Sequence, residues 1–225
     1  MPYSNGLKRN IAQCLDDYGI PLYLSHTVTD IKGENGRLSK VIVSKVNGFD
    51  PIPGTEIEFD VDTLLLSVGL VPENELSRSA GVVLDKRTNG AIVDETMMTS
   101  IPGIFACGNV LHVHDLVDFV SLEAEKLAAS VCRYLDGKAI ECEIAVETDG
   151  AIGYTVPQKI SGTCDVTLSF RPRRPMNNVI FSAWQGDKCL AKKRVTKALP
   201  AEMLHLQVKA DAFISKESVK VVCEN

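Results

Sequence analysis

The chain has no excess of positive charge. Among its 225 residues, Lys and Arg total 24 against 29 Asp and Glu, which gives a formal net charge of −5. Proteins that bind nucleic acid or anionic membranes need a basic surface, so the composition argues against both kinds of partner. The two short basic clusters, residues 171–174 and 192–194, are interpreted as solvated strand ends.

Long hydrophobic runs are also missing. The longest strongly apolar stretch, residues 63–71, is far shorter than the roughly 20 residues that a membrane-spanning helix needs. No charged leader followed by an apolar segment stands at the start of the sequence. We therefore expect a soluble, cytoplasmic protein without a membrane span.

The cysteine pattern contains no C-x-x-C pair. The seven cysteines are scattered, and no Cys or His spacing suits a zinc site, so no metal site is predicted. Reduced thiols are the expectation for an intracellular protein. Cys107 is interpreted as a small buried thiol without a redox role.

The first third of the chain predicts one helix and several strands. An apolar stripe at helical spacing follows a cap at Ser4 or Asn5. Its members are Leu7, Ile11, Cys14, Leu15 and Tyr18. A short strand is predicted at 20–24, and Asn35-Gly36 predicts a tight hairpin between strands 27–32 and 38–46.

The middle of the chain has the pattern of an α/β domain. Residues 61–68 form a continuous apolar run, which is typical of a strand buried on both faces of a sheet. Short strands are predicted at 91–93 and 104–106, and a long amphipathic helix at 115–135.

The last third changes to alternating apolar and polar residues without a helical period. Five or more short strands are predicted after about residue 150. They favour a small antiparallel β-sandwich, for which an immunoglobulin-like arrangement is one candidate.

One motif in the α/β region carries chemistry. Residues 99–109 read Thr-Ser-Ile-Pro-Gly-Ile-Phe-Ala-Cys-Gly-Asn, and the long predicted helix follows them. The segment resembles the second flavin-binding motif of the pyridine nucleotide-disulfide oxidoreductase superfamily, in which a Thr precedes a short strand, Ala-x-Gly-Asp and a helix. Asn109 stands where that family has Asp, so a neutral hydrogen bond would replace a charge-assisted one.

The resemblance implies a role for each part of this motif. Gly108 would let the backbone approach FAD closely, and Asn109 would accept hydrogen bonds from the ribityl hydroxyls. The helix start would direct its amides and positive dipole end at the flavin pyrimidine edge. The residues predicted from the motif to bind cofactor are Gly108, Asn109, Val110, Asp115, Leu116 and Val117.

A second segment strengthens the resemblance. Residues 62–74 look like the superfamily's central motif, in which a buried strand leaves the nicotinamide domain through a Gly and re-enters the flavin domain at Pro-x-Asn. Gly69 would lie against cofactor at this crossing. Within the long helix, Glu123-Ala124 and Ala128-Ala129 resemble the family's Glu-Gly and Ala-Ala, small residues that let the helix pack on the sheet.

The resemblance covers roughly residues 1–136 and implies an incomplete Rossmann-like region that binds FAD and NAD(P). The family carries two G-x-G-x-x-G fingerprints, and the sequence has neither. We therefore expect the carboxyl-terminal part of a larger flavoenzyme, which by itself binds flavin weakly or not at all. The expected domains are 1–68 (nicotinamide), 69–148 (flavin) and 149–225 (β-sandwich).

In the whole enzyme, the family implies hydride transfer between NAD(P)H and FAD, with electrons passed to a small-molecule or protein acceptor. Two alternatives remain open: a non-catalytic assembly or docking subunit, with subunit or homo-oligomer contacts through the β domain, and an amine or opine dehydrogenase subunit of the same flavoprotein family. The sequence identifies no catalytic residue. His112 and His114 either face the flavin or cap a loop.

Overall fold

Residues 2–4 and 8–224 are described by a computed structural model, in which the chain divides into two units, Met1–Gly69 and Leu70–Asn225. The described helices are α1 (Lys8–Cys14), α2 (Glu75–Ser79) and α3 (Val117–Leu135). The described strands are β1 (His26–Glu34), β2 (Arg37–Asn47), β3 (Asp50–Pro51), β4 (Ile57–Asp60), β5 (Ile144–Thr148), β6 (Ile152–Val156), β7 (Lys159–Ile160), β8 (Val166–Pro172), β9 (Met176–Gln185), β10 (Lys188–Ala198), β11 (Leu204–Val208) and β12 (Val219–Glu224).

The first unit contains the predicted hairpin. Strands β1 and β2 pair antiparallel across Asn35 and Gly36, whose φ angles of 51° and 77° match the tight turn that Asn-Gly favours. Strand β4 pairs with the other edge of β2, also antiparallel. The predicted first helix is confirmed as α1, while its cap candidate Asn5 and Leu7 of its predicted stripe lie outside the described residues.

Two strands predicted in the first unit do not form. Residues 20–24 and 61–68 have no regular secondary structure, and Leu65 and Val68 are 88% and 90% exposed. The hydrogen bond from the Val61 amide to the Ser39 carbonyl, at 3.2 Å, extends the β2–β4 pairing by one residue. The prediction of buried strands here was wrong because such strands need hydrogen-bonded neighbours on both sides, and the described residues supply none.

The second unit contains two sheets that share one core. The five-stranded sheet has the order β10-β9-β12-β5-β7, and the three-stranded sheet has the order β11-β8-β6. Phe170 from β8 and Phe181 from β9 are fully buried, with ring centroids 5.0 Å apart. The predicted sandwich is not purely antiparallel, because β12 and β5 pair in parallel. An immunoglobulin-like arrangement stays a prediction.

Between α2 and β5, the second unit has a smaller core and little strand structure. Its buried members include Val82, Ala91, Val93, Met97, Ala106, Leu111 and Val156. The predicted strands at 91–93 and 104–106 reduce to isolated bridges, such as Leu84 with Ala91 and Met98 with Phe105. The chain is thus a mixed α/β protein, but the described residues contain no Rossmann-type parallel sheet.

The long predicted helix is confirmed as α3. It is followed by Gly137, which adopts a φ of +72°. Ala124, Ala128 and Ala129 are exposed on it, although their small size had predicted close packing on a sheet. The described residues provide no sheet beneath that face. No helix in the described part of the chain is both long and apolar enough to cross a membrane.

Candidate functional site

The turn before α3 requires a glycine. Residues Gly108–Val110 form a single 3₁₀ turn, and Gly108 is buried with a φ of +71°. A Cβ at this position would lie 3.3 Å from Cγ1 of Val120 on α3. Both the left-handed backbone and the close approach of the helix therefore favour Gly at position 108.

The side chain of Asn74 ties the two family-like segments together. Its Nδ2 donates to the Val110 carbonyl at 2.7 Å and to the Asn89 carbonyl at 2.9 Å. Asn74 is only 2% exposed, and its Oδ1 has no hydrogen-bond partner among the described residues. The Asn of the predicted Pro-x-Asn segment thus positions the turn at Gly108, a contact that the sequence alone did not reveal.

Asn109 holds the loop between the turn and the helix. Its Oδ1 accepts a hydrogen bond from the His114 amide at 3.0 Å. The residue itself is exposed, so its side chain remains accessible to a ligand on the solvent side. This loop in turn places His112 and His114 beneath α3.

Two histidines and a glutamate form a buried cluster behind the turn. Nε2 of His112 lies 2.8 Å from Oε1 of Glu123, and Nε2 of His114 lies 3.2 Å from Oε2. Their side chains are 1%, 4% and 10% exposed in the order His112, His114, Glu123. The imidazole rings meet edge to face at 4.5 Å. Both histidines therefore form hydrogen bonds with a glutamate of α3.

Glu123 is ionised despite its burial. Desolvation opposes its charge, but hydrogen bonds from His112, His114 and the Gly108 amide outweigh that effect and lower its pKa to about 2. The Gly108 amide donates to Oε2 at 2.5 Å, so the carboxylate also fixes the turn. Sequence spacing pointed to no partner for the histidines because Glu123 lies eleven and nine residues further along the chain.

Asp115, whose acidic side chain at the predicted helix start favours an amino-terminal cap, does not cap α3. Its Oδ1 accepts from Arg171 Nη2 at 3.0 Å, and its Oδ2 accepts from the Met203 amide at 3.2 Å. Arg171 also donates to the Val113 carbonyl at 2.9 Å. The guanidinium and an amide from the β-sandwich compete successfully for the carboxylate, so the loop before α3 is anchored to that sandwich. Arg171 is therefore not a solvated strand end.

The start of α3 is left open. The residue before its first turn, Leu116, makes no side-chain capping hydrogen bond, and Leu116 and Val117 are 48% and 76% exposed. The amides of a first helical turn have no partner within the helix and carry its positive dipole end. The helix start therefore presents accessible donors close to Asn109 in the chain.

Cys107 precedes the turn and is not activated. Burial, together with the nearby negative charge of Glu123, raises the pKa of its thiol. A thiol with a raised pKa holds little thiolate at neutral pH, which fits the interpretation of Cys107 as an inert side chain.

We expect iodoacetamide to alkylate Cys107 severalfold more slowly at pH 8 than it alkylates the exposed Cys132, because the reagent attacks thiolate. The rate at Cys107 should keep rising into the alkaline range beyond that of ordinary thiols. Mass spectrometry of the tryptic peptides measures each rate, and the Cys107→Ser variant identifies the signal. Equal rates at the two cysteines would contradict the inert interpretation.

A cavity of about 270 Å³ lies beside α3, between that helix and the β-sandwich. It is lined by polar and apolar side chains, among them His114, Phe119, Glu123, Ser169 and His205. His205 contacts Ser169 through Nδ1 at 3.0 Å, and burial lowers its pKa, so the ring is neutral at pH 7. Two members of the buried cluster therefore face a space large enough for a small ligand.

The predicted cofactor residues divide into three groups. Gly108, Asn109 and Val110 form one turn, which the Asn74 contact holds in place. Asp115, Leu116 and Val117 follow at the helix start. Gly69 lies in the other unit. Its φ of +90° favours glycine, although a Cβ added at this position would have no other atom within 4 Å.

Comparison with known proteins places these features in a family. Residues 2–127 match the model of the family described as pyridine nucleotide-disulphide oxidoreductase. That segment includes both predicted motifs, the turn at Gly108 and the His112–His114–Glu123 cluster. The β-sandwich lies beyond the match.

Individual relatives cover part of the same segment. An NADH oxidase of Streptococcus pyogenes is 32% identical over 114 residues, which are 50% of this chain and 22% of the relative. A rubredoxin-NAD(+) reductase of Ectopseudomonas oleovorans is 32% identical over 95 residues, which are 42% of this chain and 21% of the relative. The chain thus spans about a fifth of the length of these curated relatives.

Among solved structures, a thioredoxin reductase of T. acidophilum aligns with 59% of this chain and 41% of its own. The sequence identity is 26% and the TM-score is 0.49.

Proposed function

The chain belongs to the pyridine nucleotide-disulphide oxidoreductase family, and on that premise we propose that it supplies part of the FAD site of an NAD(P)H-dependent flavoenzyme. The observation that carries the proposal is the join of the two family motifs, through Asn74 and Val110, at a glycine turn followed by an open helix start. We assign residues 1–68 to the nicotinamide domain, 69–148 to the flavin domain and 149–225 to an accessory β domain.

The residues of the turn and helix start suit a flavin. Gly108 has the left-handed backbone that a close cofactor approach needs, Asn109 is exposed, and the first amides of α3 are uncapped. In this proposal Asn109 holds the ribityl chain, while the amides near Val117 face the pyrimidine edge. When bound, FAD supplies reversible hydride acceptance.

The proposed electron acceptor is inferred only from the names of the relatives. One relative is named for NADH oxidation and another for rubredoxin, which is a protein electron carrier. We propose hydride transfer from a nicotinamide cofactor to FAD and onward electron transfer to a small-molecule or protein acceptor. The exposed apolar residues Leu65, Leu66 and Val68, together with the uncovered alanines of α3, are the surfaces against which the remaining parts of the nucleotide-binding domains pack in this proposal.

Substitutions at Asn109 test the FAD assignment. Restoring the family's carboxylate with Asn109→Asp should tighten FAD binding by up to about tenfold, because a charge-assisted hydrogen bond is stronger by about 1 kcal/mol. Asn109→Ala should weaken it by about twofold to tenfold, the loss expected for one neutral hydrogen bond. Titration with FAD of the native complex isolated with each variant and stripped of its flavin, followed by flavin fluorescence, gives the order of affinities.

The control is Glu125→Ala, which changes an exposed residue on α3 and should leave FAD affinity unchanged. The chain should also co-purify with FAD that NADH or NADPH reduces when it is tagged and isolated from its native host. Equal FAD affinity of the three Asn109 forms, or a native complex without flavin, would overturn the assignment.

A further inference from the structure

We propose that His112, His114 and Glu123 bind a divalent transition-metal ion such as Zn²⁺, with one coordination position open to the cavity beside α3. One ligand atom from each of the three residues lies within 4.8 Å of the other two. Two imidazoles and one carboxylate are a donor set that zinc accepts, and three protein ligands leave room for a fourth, exchangeable one. The site adjoins the turn assigned to FAD, since Glu123 accepts from the Gly108 amide and the His114 amide donates to Asn109.

The distances between the donor atoms suit such an ion. Ligands about 2.0–2.1 Å from a tetrahedral zinc lie about 3.3 Å from each other. His112 Nε2 lies 2.8 Å from Oε1 of Glu123, and His114 Nε2 lies 3.2 Å from Oε2, so each nitrogen is already near one carboxylate oxygen. Because the three ligand atoms lie within 4.8 Å of one another, they need to draw together by at most about 1.5 Å to bind one ion.

The three side chains are held in place before any ion binds. Glu123 is fixed by the Gly108 amide, and the His112 amide donates to the Gly108 carbonyl at 3.1 Å. The His114 amide is held by Asn109. A rigid donor set lowers the ordering cost of binding, as in metal sites whose outer partners orient the ligands.

The charge balance also favours a cation. Among the described residues, no Lys or Arg nitrogen lies within 4.0 Å of the Glu123 carboxylate, whose side-chain hydrogen-bond partners are the two histidines. Binding requires the lone pair of each Nε2, so bonds to the ion replace the hydrogen bonds that the two Nε2 atoms make with Glu123. The ring proton is then carried by Nδ1, which in both histidines has no hydrogen-bond partner in the described part of the chain.

The open position faces the cavity because His114 and Glu123 both line it. His205 lines the same space, and its Nε2 is buried without a hydrogen-bond partner among the described residues. A water or small oxygen ligand on the ion would thus have a potential hydrogen-bond partner in the cavity wall. We infer an exchangeable fourth ligand rather than a closed structural site.

Cobalt titration of the full chain tests the proposal. After treatment with a chelator, the purified protein should bind one Co²⁺ and show the intense visible bands of a four-coordinate nitrogen and oxygen site. Charge-transfer bands from sulfur should be absent, which separates this site from binding to the free cysteines. Elemental analysis after gel filtration with Zn²⁺ should give one ion per chain.

Variants locate the ion. His114→Ala and Glu123→Gln should each weaken Co²⁺ binding by more than about tenfold, the smaller end of the loss seen even for indirect partners of metal ligands. Glu123→Gln keeps the size of the side chain and an acceptor for Gly108, so it remains informative if the alanine variant fails to fold. His26→Ala, in the first unit, is the control and should bind as the unchanged protein does.

Three results would overturn the proposal. The first is a Co²⁺ spectrum that remains that of the hydrated ion, and the second is a spectrum dominated by sulfur ligands. The third is unchanged affinity in both His114→Ala and Glu123→Gln. Any of these would leave the cluster as a hydrogen-bonded support for the turn.

Discussion

Replacing Phe181 by Ala should lower the free energy of unfolding of the second unit by about 3–5 kcal/mol, the usual cost of removing a buried aromatic ring from a core. Phe181 is fully buried on β9 and packs against Phe170 of the opposite sheet, at 5.0 Å between ring centroids. Denaturant unfolding followed by tryptophan fluorescence measures the change. The single tryptophan of the chain, Trp184, lies on the same strand and reports on this core.

A double-mutant cycle shows whether the two sheets share this core. Phe170→Ala and Phe181→Ala should be non-additive by about 0.5–1.5 kcal/mol, since the two rings touch across the sheets. Phe49→Ala is the control, because Phe49 is 98% exposed and its loss should change stability by less than about 0.5 kcal/mol. Additive losses at Phe170 and Phe181 would contradict the packing of the two sheets.

Local sequence signals predicted the elements that depend on neighbours close in the chain. Asn35-Gly36 fixed the hairpin because a two-residue turn needs only its own backbone conformation. The apolar period and Gly137 predicted α3 nearly to the residue. The alternating pattern after residue 150 predicted strands, but not that β12 and β5 would run parallel, because pairing between distant strands leaves no local signal.

The predicted strand at 61–68 did not form, because it depends on neighbours that are distant in the chain. The apolar residues of 61–68 predicted a buried strand, but a strand forms only where other strands accept its hydrogen bonds. Leu65 and Val68 are exposed because no described strand lies beside them. The apolar composition of residues 61–68 therefore predicts packing that is not found among the described residues.

For the candidate site, the flavin-binding motif predicted the location of the turn at Gly108, but it did not predict the side-chain contacts around that turn. Gly108 and Asn109 were predicted from residue type and order, which reflect backbone conformation and hydrogen-bonding capacity. Glu123 joins the two histidines only because the loop before α3 folds back under the helix. Arg171 reaches Asp115 from 56 residues away, so no spacing rule could have paired them.

Replacing Glu123 by Ala should cost about 3–5 kcal/mol of unfolding free energy, because three buried hydrogen-bonding groups lose the same carboxylate. The variant would leave the Gly108 amide and two buried imidazole nitrogens without their acceptor. Each buried polar group without a partner costs about 1–3 kcal/mol, so the sum of three such losses is consistent with this range. Denaturant unfolding with a chelator present measures the hydrogen-bonding effect apart from any metal.

Two variants on the same helix make the result specific. Glu125→Ala removes an exposed carboxylate two residues away and should change stability by less than about 0.5 kcal/mol. Glu123→Gln keeps one acceptor oxygen for the Gly108 amide and should lose less than Glu123→Ala, although it loses the charge and the second acceptor oxygen. Similar losses in Glu123→Ala and Glu125→Ala would mean that the cluster does not hold the turn. Because Gly108 and Asn109 depend on that turn, the proposed flavin contacts would then lack their support.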